Sequence, residues 1–325
     1  MTPEEEIKIK RWGQNLAGEK QIKLVLTKDK RGEAFQSFVN NLNQLCPKIR
    51  TNIEKEDEST APEIQIGNIR YHAIPLGKEL DPFLRIIGDS EGYSKELPSS
   101  IKKKLSQIEM VALLKVYITP QCPFCPLAVN QLLALAASTE SIKLAIIDGS
   151  LFSEMAALDD IHAAPTVLLD EQFRWSGPIQ TDEIVNIILN RDPLQLSEAS
   201  LASMLNDGEA IQVAEMMVKS GRIYPAFMKL LVHEKWPIRL GAMVAFETVA
   251  VKNSHLLRQV IPFLWERFAK ANDTIKGDIL YLYGQSKSEK VIPRLESIVK
   301  GTYCDEVKEA AMEALQEIKS FHDFI

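Results

Sequence analysis

"LLKVYITPQCPFCPLAVNQLL", Leu113–Leu133, changes its grammar midway. The run up to Thr119 is apolar and rich in strand formers, as a buried strand requires. Beyond Pro126 the apolar residues take up helical spacing, and between the two stand Cys122 and Cys125, fenced by Pro120, Pro123 and Pro126. A strand that passes into a helix at a thiol pair sets the first sulfur at the positive end of the helix dipole, where free amides stabilise a thiolate. Such placement brings a thiol pKa from about 8.5 into the range of roughly 3.5 to 7.5. The stretch predicts a helix starting near Cys122 or Pro123, with Pro123 suited to the first turn because its missing N–H would have gone unpaired there.

Three chemistries use two cysteines at this spacing. A zinc site needs four ligands, commonly two such pairs or one pair with histidines at set spacing. Cys46 and Cys304 stand isolated in other contexts and no His-x-x-x-His lies near any thiol, which argues against zinc. A structural disulfide here would close a loop too short to stabilise much. The redox reading fits the local physics: Cys122 is expected to attack a substrate disulfide, and Cys125, one turn further in and less exposed, to resolve the mixed disulfide.

Outward from this stretch, the chain up to about Asp192 alternates β-type runs with amphipathic helical ones, the mark of an α/β layer. It also looks duplicated. "IKLVLTKDKRGEAFQSFVNNL", Ile22–Leu42, repeats the strand, turn and helix, and "TAPEIQIGN", Thr60–Asn68, answers "AAPTVLLDE", Ala163–Glu171. With Thr27 laid on Thr119, Lys30 and Glu33 occupy the places of Cys122 and Cys125, so the first copy keeps the scaffold and lacks the thiols. The joining segment predicts a helix from about Ser99.

From Leu196 onward only helical periodicity remains, interrupted at short intervals by "DG", "KSG", "KN", "AND" and "KGTY". "WPIRLGAMVAFETV", "DTIKGDILYLYGQS" and "DEVKEAAMEALQEI" resemble one another, and their basic residues Arg239, Lys276 and Lys308 are 37 and 32 apart. Helix pairs at such a period imply an α-solenoid, and the spacing resembles HEAT repeats. Trp236 and Trp265 fall at helical spacing and are expected in the core; His162, Cys46, Cys304 and Trp175 read as solvated, packing or bystander residues.

Composition narrows the functions. At 325 residues, two or three domains are expected. With 38 basic against 44 acidic residues and a net charge of −6, nothing favours nucleic acid or an anionic membrane as partner, and the Lys102–Lys104 run reads as a solvated helix face. The N-terminal "MTPEEEIKIK" begins acidic without an apolar core, and no uncharged apolar run reaches the roughly 18 residues needed to span a bilayer. The expectation is a soluble cytoplasmic protein, where a close cysteine pair is catalytic or metal-binding more often than structural.

The stretch from "LLKVYITPQCPFCPLAVNQLL" through "AIIDGSLF" to "IHAAPTVLLDEQFRWSG" resembles a thioredoxin-like domain, and glutaredoxins carry a similar Cys-Pro-aromatic-Cys. The duplicated arrangement with thiols only in the second copy is similar to the N-terminal domain of the flavoprotein subunit of alkyl hydroperoxide reductase and to two-unit protein disulfide oxidoreductases. The resemblance covers about Ile22 to Asp192. It implies a cis proline at Pro165 opposite the thiols, with Pro62 as its counterpart, and an extended substrate pairing with the backbone at Ala164; Pro123 and Phe124 complete the implied substrate-binding set. It further implies that Glu79, in a Pro75-x-Gly77-x-Glu79 segment, lies behind the thiols and moves the proton that Cys125 must lose. The plainer alternative is an ordinary acid at a helix start.

No Gly-x-Gly-x-x-Gly fingerprint occurs, so no flavin or nicotinamide cofactor is expected and electrons would come from a separate reductase or small thiol. Together these readings predict an α/β plus all-α protein: a thioredoxin-like unit without thiols at residues 1–98, a second with the redox centre at 99–194, and HEAT-like repeats at 195–325. Its expected function is thiol–disulfide exchange with partner proteins recruited by the repeats; the alternative is a redox-inactive interaction scaffold.

Overall fold

The computed structural model describes residues 1–56 and 61–323. The chain divides into two compact units, Met1–Arg191 and Asp192–Ile325. In the first, α1 (Pro3–Gln14) precedes β1 (Lys20–Leu26), α2 (Gly32–Leu45), β2 (Ile49–Lys55) and the hairpin of β3 (Glu63–Ile66) and β4 (Ile69–His72). Thr60, at the head of the segment that answers "AAPTVLLDE", lies outside the described residues. Helices α3 (Leu80–Gly88), α4 (Ser90–Glu96) and α5 (Ser99–Leu105) follow, the last where the sequence predicts a helix. Then come β5 (Ala112–Ile118), α6 (Cys125–Ala136), β6 (Ile142–Asp148), α7 (Ser153–Leu158), the hairpin of β7 (Thr166–Leu169) and β8 (Phe173–Ser176), and α8 (Thr181–Asn190).

The strands form a single sheet in the order β2-β1-β3-β4-β6-β5-β7-β8. Its two halves have the same order and the same sense of pairing: β1 runs parallel to β2 and antiparallel to β3, as β5 does to β6 and β7. They join where β4 and β6 run parallel, Tyr71 opposite Ile146. Strands covered on both faces read as near-continuous apolar runs, and β5 and β6 do so, burying Leu114, Val116, Tyr117, Leu144 and Ile146. Helix α6 packs on both strands and buries Val129 and Leu132, while Phe83 of α3 packs edge-on against Tyr71 of β4. The start of β5 is pinned by charge: Asp170 accepts the Leu113 amide at 2.9 Å and pairs with Arg191, whose guanidinium donates to the Met110 and Val111 carbonyls at 2.6 Å.

The second unit is largely helical, and none of its described residues forms a strand. Its helices are α9 (Glu198–Asn206), α10 (Ala210–Ser220), α11 (Pro225–Leu230), α12 (Trp236–Asn253), α13 (Val260–Phe268), α14 (Asp273–Gln285), α15 (Ile292–Val299) and α16 (Asp305–Asp323). The three similar segments are therefore α12, α14 and α16. Arg239 is buried; its Nε donates to Asp278 at 2.7 Å and a terminal nitrogen to the His233 carbonyl, stitching α12 to α14. Gly284 allows α14 to press on α16, since a Cβ there would come within 3.2 Å of the Ala314 Cα. Trp236 departs from the expected core position and is 47% exposed. It opens α12 and lies under the Arg239 guanidinium, so it covers a buried charge from outside.

Candidate functional site

The thiol pair lies between the end of β5 and the start of α6. The helix begins at Cys125, two to three residues later than the sequence predicts, and Pro126 rather than Pro123 takes its first turn. Had it begun at Cys122, Pro126 would stand within the helix, its ring against the Cys122 carbonyl four residues back and a hydrogen bond lost. The dipole argument survives in a sharper form. The Cys125 amide points at the Cys122 sulfur, N to Sγ 3.1 Å, so one free helix-end N–H serves the first sulfur directly.

Cys122 and Cys125 are joined in a disulfide with their Cα atoms 5.5 Å apart. Cys125 is fully buried and Cys122 retains 9% of its surface, the asymmetry a nucleophile and a resolving thiol require. Cys122 opens on a groove of about 590 Å³ whose walls include Thr119, Pro123, Gly149, Ser150, His162 and Ala164. Phe124 and Leu127 stand out from the thiol loop, 66% and 63% exposed.

Across the groove, Ala164–Pro165 is the one cis peptide bond among the described residues, so the Ala61–Pro62 bond, its expected counterpart, is trans. The Ala164 carbonyl oxygen lies 3.5 Å from Cys122 Sγ, a distance at which the reduced thiol can donate to it. The flanking backbone is held: Thr166 Oγ1 donates to the Ala163 carbonyl at 2.8 Å and the Gly177 amide to the Pro165 carbonyl at 2.8 Å. Thus Cys122, Pro123, Phe124 and Ala164 line one groove, with Cys125 buried behind Cys122 and Pro165 next in chain to Ala164.

Glu79 is set apart from that group in chain position and in character. It closes a short 3-10 turn, Gly77–Glu79, leading into α3, which packs on α6. Gly77 takes the left-handed φ of +60° that the turn needs and its amide is held by Glu5 at 2.7 Å. The Glu79 side chain is buried, and its Oε2 has no hydrogen-bond partner among the described residues. Burial pushes its carboxyl up to about 7. An acid at an ordinary helix start would be solvated; this one is not.

Of the discounted residues, His162 lies in the groove wall as well as in solvent, and none of the others lines it. His162 is exposed and pairs with Asp160 at 2.9 Å, Cys46 is buried at the end of α2, Cys304 is exposed, and Trp175 donates to Glu183 at 3.1 Å. Among the described residues no cluster of three His, Cys, Asp or Glu side chains could hold a metal ion, and no helix is long and apolar enough to cross a membrane.

Comparison with known proteins agrees with this geometry. Residues 113–190 match the thioredoxin domain family. A protein named NADH dehydrogenase from Ferdinandcohnia aciditolerans is 24% identical over 219 residues, 66% of this chain and 40% of that one. The alkyl hydroperoxide reductase protein AhpF from Staphylococcus epidermidis is 23% identical over 204 residues, 61% of this chain and 38% of its own length. The chain thus spans about two-fifths of the length of these relatives. Among solved structures, the N-terminal domain of AhpF from Enterococcus faecalis superposes with a TM-score of 0.50 at 20% identity, over 58% of this chain and 100% of that one. A protein disulfide oxidoreductase from Aeropyrum pernix gives 0.51 at 14% identity, over 58% and 92%. The thiol-bearing part of the chain has a thioredoxin-like fold, similar to the N-terminal domain of alkyl hydroperoxide reductase AhpF and to protein disulfide oxidoreductases.

Proposed function

We propose that the protein is a thiol–disulfide oxidoreductase that reduces or exchanges disulfides of partner proteins through Cys122 and Cys125. The observation that carries this reading is the pair itself: one sulfur at the lip of a groove and served by a helix-end amide, the other fully buried behind it. In the reducing direction the Cys122 thiolate attacks a substrate disulfide, forming a mixed disulfide and expelling one substrate thiolate. Cys125 then loses its proton and attacks Cys122, releasing the second substrate thiol and leaving the Cys122–Cys125 disulfide. Glu79, buried and partnerless on Oε2, takes that proton. Pro123, Phe124, Ala164 and Pro165 receive the extended substrate, the Ala164 backbone lying beside the first sulfur.

The recurring sheet order supports reading residues 1–98 and 99–194 as tandem thioredoxin-like units, only the second bearing thiols. The long helices α12, α14 and α16, spaced by shorter ones, support a HEAT-like array over residues 195–325 that offers protein partners a surface. Electrons would be supplied by a separate reductase or a small thiol, in the cytoplasm.

The test is a redox titration in glutathione or dithiol buffers with mass mapping of Cys122 and Cys125, beside insulin-disulfide reduction driven by dithiothreitol. A two-electron couple within roughly −270 to −120 mV is expected. Cys122→Ser should lose insulin reduction and keep the fold; unchanged turnover in that variant would end the reading.

A further inference from the structure

In the first half of the sheet, the loop after β1 corresponds to the thiol loop, and with Thr27 laid on Thr119 its Arg31 takes the place of Pro123. Arg31 is engaged on every side. Its Nε and a terminal nitrogen form a fork with Asp29, at 2.9 Å from Nε to Oδ2. One terminal nitrogen donates to the Leu151 carbonyl at 2.7 Å and the other to Glu154 at 2.5 Å. The guanidinium carbon lies 4.1 Å from the centre of the Phe152 ring. Phe152 is fully buried, with Phe35 and His72 edge-on to it at 6.1 Å and 6.0 Å.

Leu151 and Phe152 belong to the segment joining β6 to α7 and Glu154 to the first turn of α7, and the two residues just before them, Gly149 and Ser150, line the Cys122 groove. The near end of that segment is tied to the thiol strand, the Gly149 amide donating to the Ile118 carbonyl at 2.9 Å. Its far end is tied to the opposite half of the sheet through Arg31. A guanidinium spends several donors in a fixed plane, so it orders a loop in a way a single ammonium does not.

We propose that Arg31 is a positioning residue for substrate binding: by clasping the Leu151 carbonyl, the Phe152 ring and Glu154, it holds the Gly149–Ser150 rim of the thiol groove in its receptive shape. This rests on the oxidoreductase reading and assigns a task to the half of the sheet that has no thiols. The clasp acts on the shape of the groove and touches neither sulfur, so its loss should weaken substrate binding while leaving thiol chemistry alone.

The test uses the full chain with dithiothreitol as reductant and insulin as disulfide, comparing Arg31→Ala, Arg31→Lys and Glu154→Gln. Arg31→Ala should raise KM for insulin roughly three- to tenfold with kcat little changed. Alkylation of reduced Cys122 by iodoacetamide should keep its wild-type rate, and amide hydrogen exchange over residues 148–156 should quicken. Arg31→Lys should recover part of the KM, and Glu154→Gln, at an exposed carboxylate, should shift it in the same direction by less. If Arg31→Ala does not fold, Glu154→Gln carries the measurement. KM unchanged in the folded variants, or a fall in kcat and alkylation rate without a change in KM, overturns the proposal. Should the wild-type chain fail to reduce insulin, the oxidoreductase reading falls by itself and exchange over 148–156 decides the clasp: faster in Arg31→Ala upholds it, unchanged refutes it.

Discussion

The loops after β1 and β5 leave equivalent strands and enter equivalent helices, and they hold opposite chemistry. One places Cys122 and Cys125 beside a groove; the other places exposed Lys30 and Glu33 at those positions and spends Arg31 on ion pairs. The contrast continues past the next proline. Thr166 after Pro165 ties its hydroxyl to the local backbone, whereas Glu63 after Pro62 is buried against His72, Oε2 to Nε2 3.1 Å, with the Pro62 carbonyl 3.2 Å from the other ring nitrogen. The position beside the thiols opens on a groove, while its thiol-free counterpart carries ion pairs. Where no thiols stand, the corresponding positions serve to fasten the fold.

The largest effect is expected at Glu79, which belongs to the half without thiols and whose buried Oε2 has no hydrogen-bond partner among the described residues. Glu79→Gln should slow the resolving step roughly a hundredfold at neutral pH in single-turnover insulin reduction. If Glu79 takes the Cys125 proton, the wild-type rate of that step should rise through about pH 7, where burial sets the carboxyl, and Glu79→Gln should remove that rise. An unaltered pH profile would take Glu79 out of the mechanism. Stability supplies an independent check. Because the folded carboxyl titrates above its unfolded value, the folded state binds more protons between about pH 4.5 and 7, and stability declines across that window. Glu79→Gln should therefore be more stable than wild type at pH 8, by about 1–3 kcal/mol after allowance for residual solvent, with little difference at pH 4.

Next in size is the Glu63–His72 pair. Burial alone would raise the Glu63 carboxyl, but the His72 hydrogen bond and charge, with Arg70, hold it below its ordinary value. Its contribution is present above the unfolded carboxylate pKa and is lost as pH falls through the lower folded one. Glu63→Gln should cost about 1–3 kcal/mol at pH 7 in urea unfolding, and that difference should shrink in acid. A cost that persists unchanged at pH 2 would mean that shape, and not charge, matters there. The smallest effect is expected from Lys30→Ala with Glu33→Ala: both side chains are exposed, so insulin reduction should stay within about twofold of wild type. A larger loss would show that the thiol-free loop meets substrate itself.

Much of the thiol half is legible in the sequence because its signals are local. An apolar run, a thiol pair and a proline-marked turn each act within a few residues, and together they locate β5, α6 and the groove. The start of α6 comes out wrong when Pro123 is given the role that Pro126 plays; the ring clash four residues back is a local rule that the sequence does contain. What escapes sequence reading is long-range. Nothing near Arg31 announces Leu151 and Glu154 more than a hundred residues away, and "PLGKEL" suggests a helix start without revealing that Glu79 is sealed from water. Trp236 misleads for a similar reason, since helical spacing marks a face and not which charge that face must cover.

The parallel join of β4 to β6 has a consequence for the life of the protein in a crowded solution. Two separate four-stranded sheets would present four open edges, each with unpaired amides and carbonyls ready to add a foreign strand. Fused, the described strands leave two, at β2 and β8. β2 carries Arg50, Asn52, Glu54 and Lys55, with Lys23 of its neighbour paired to Glu54, and β8 is only four residues long. Charge and brevity are common defences against edge-to-edge aggregation, and here they guard the edges that remain.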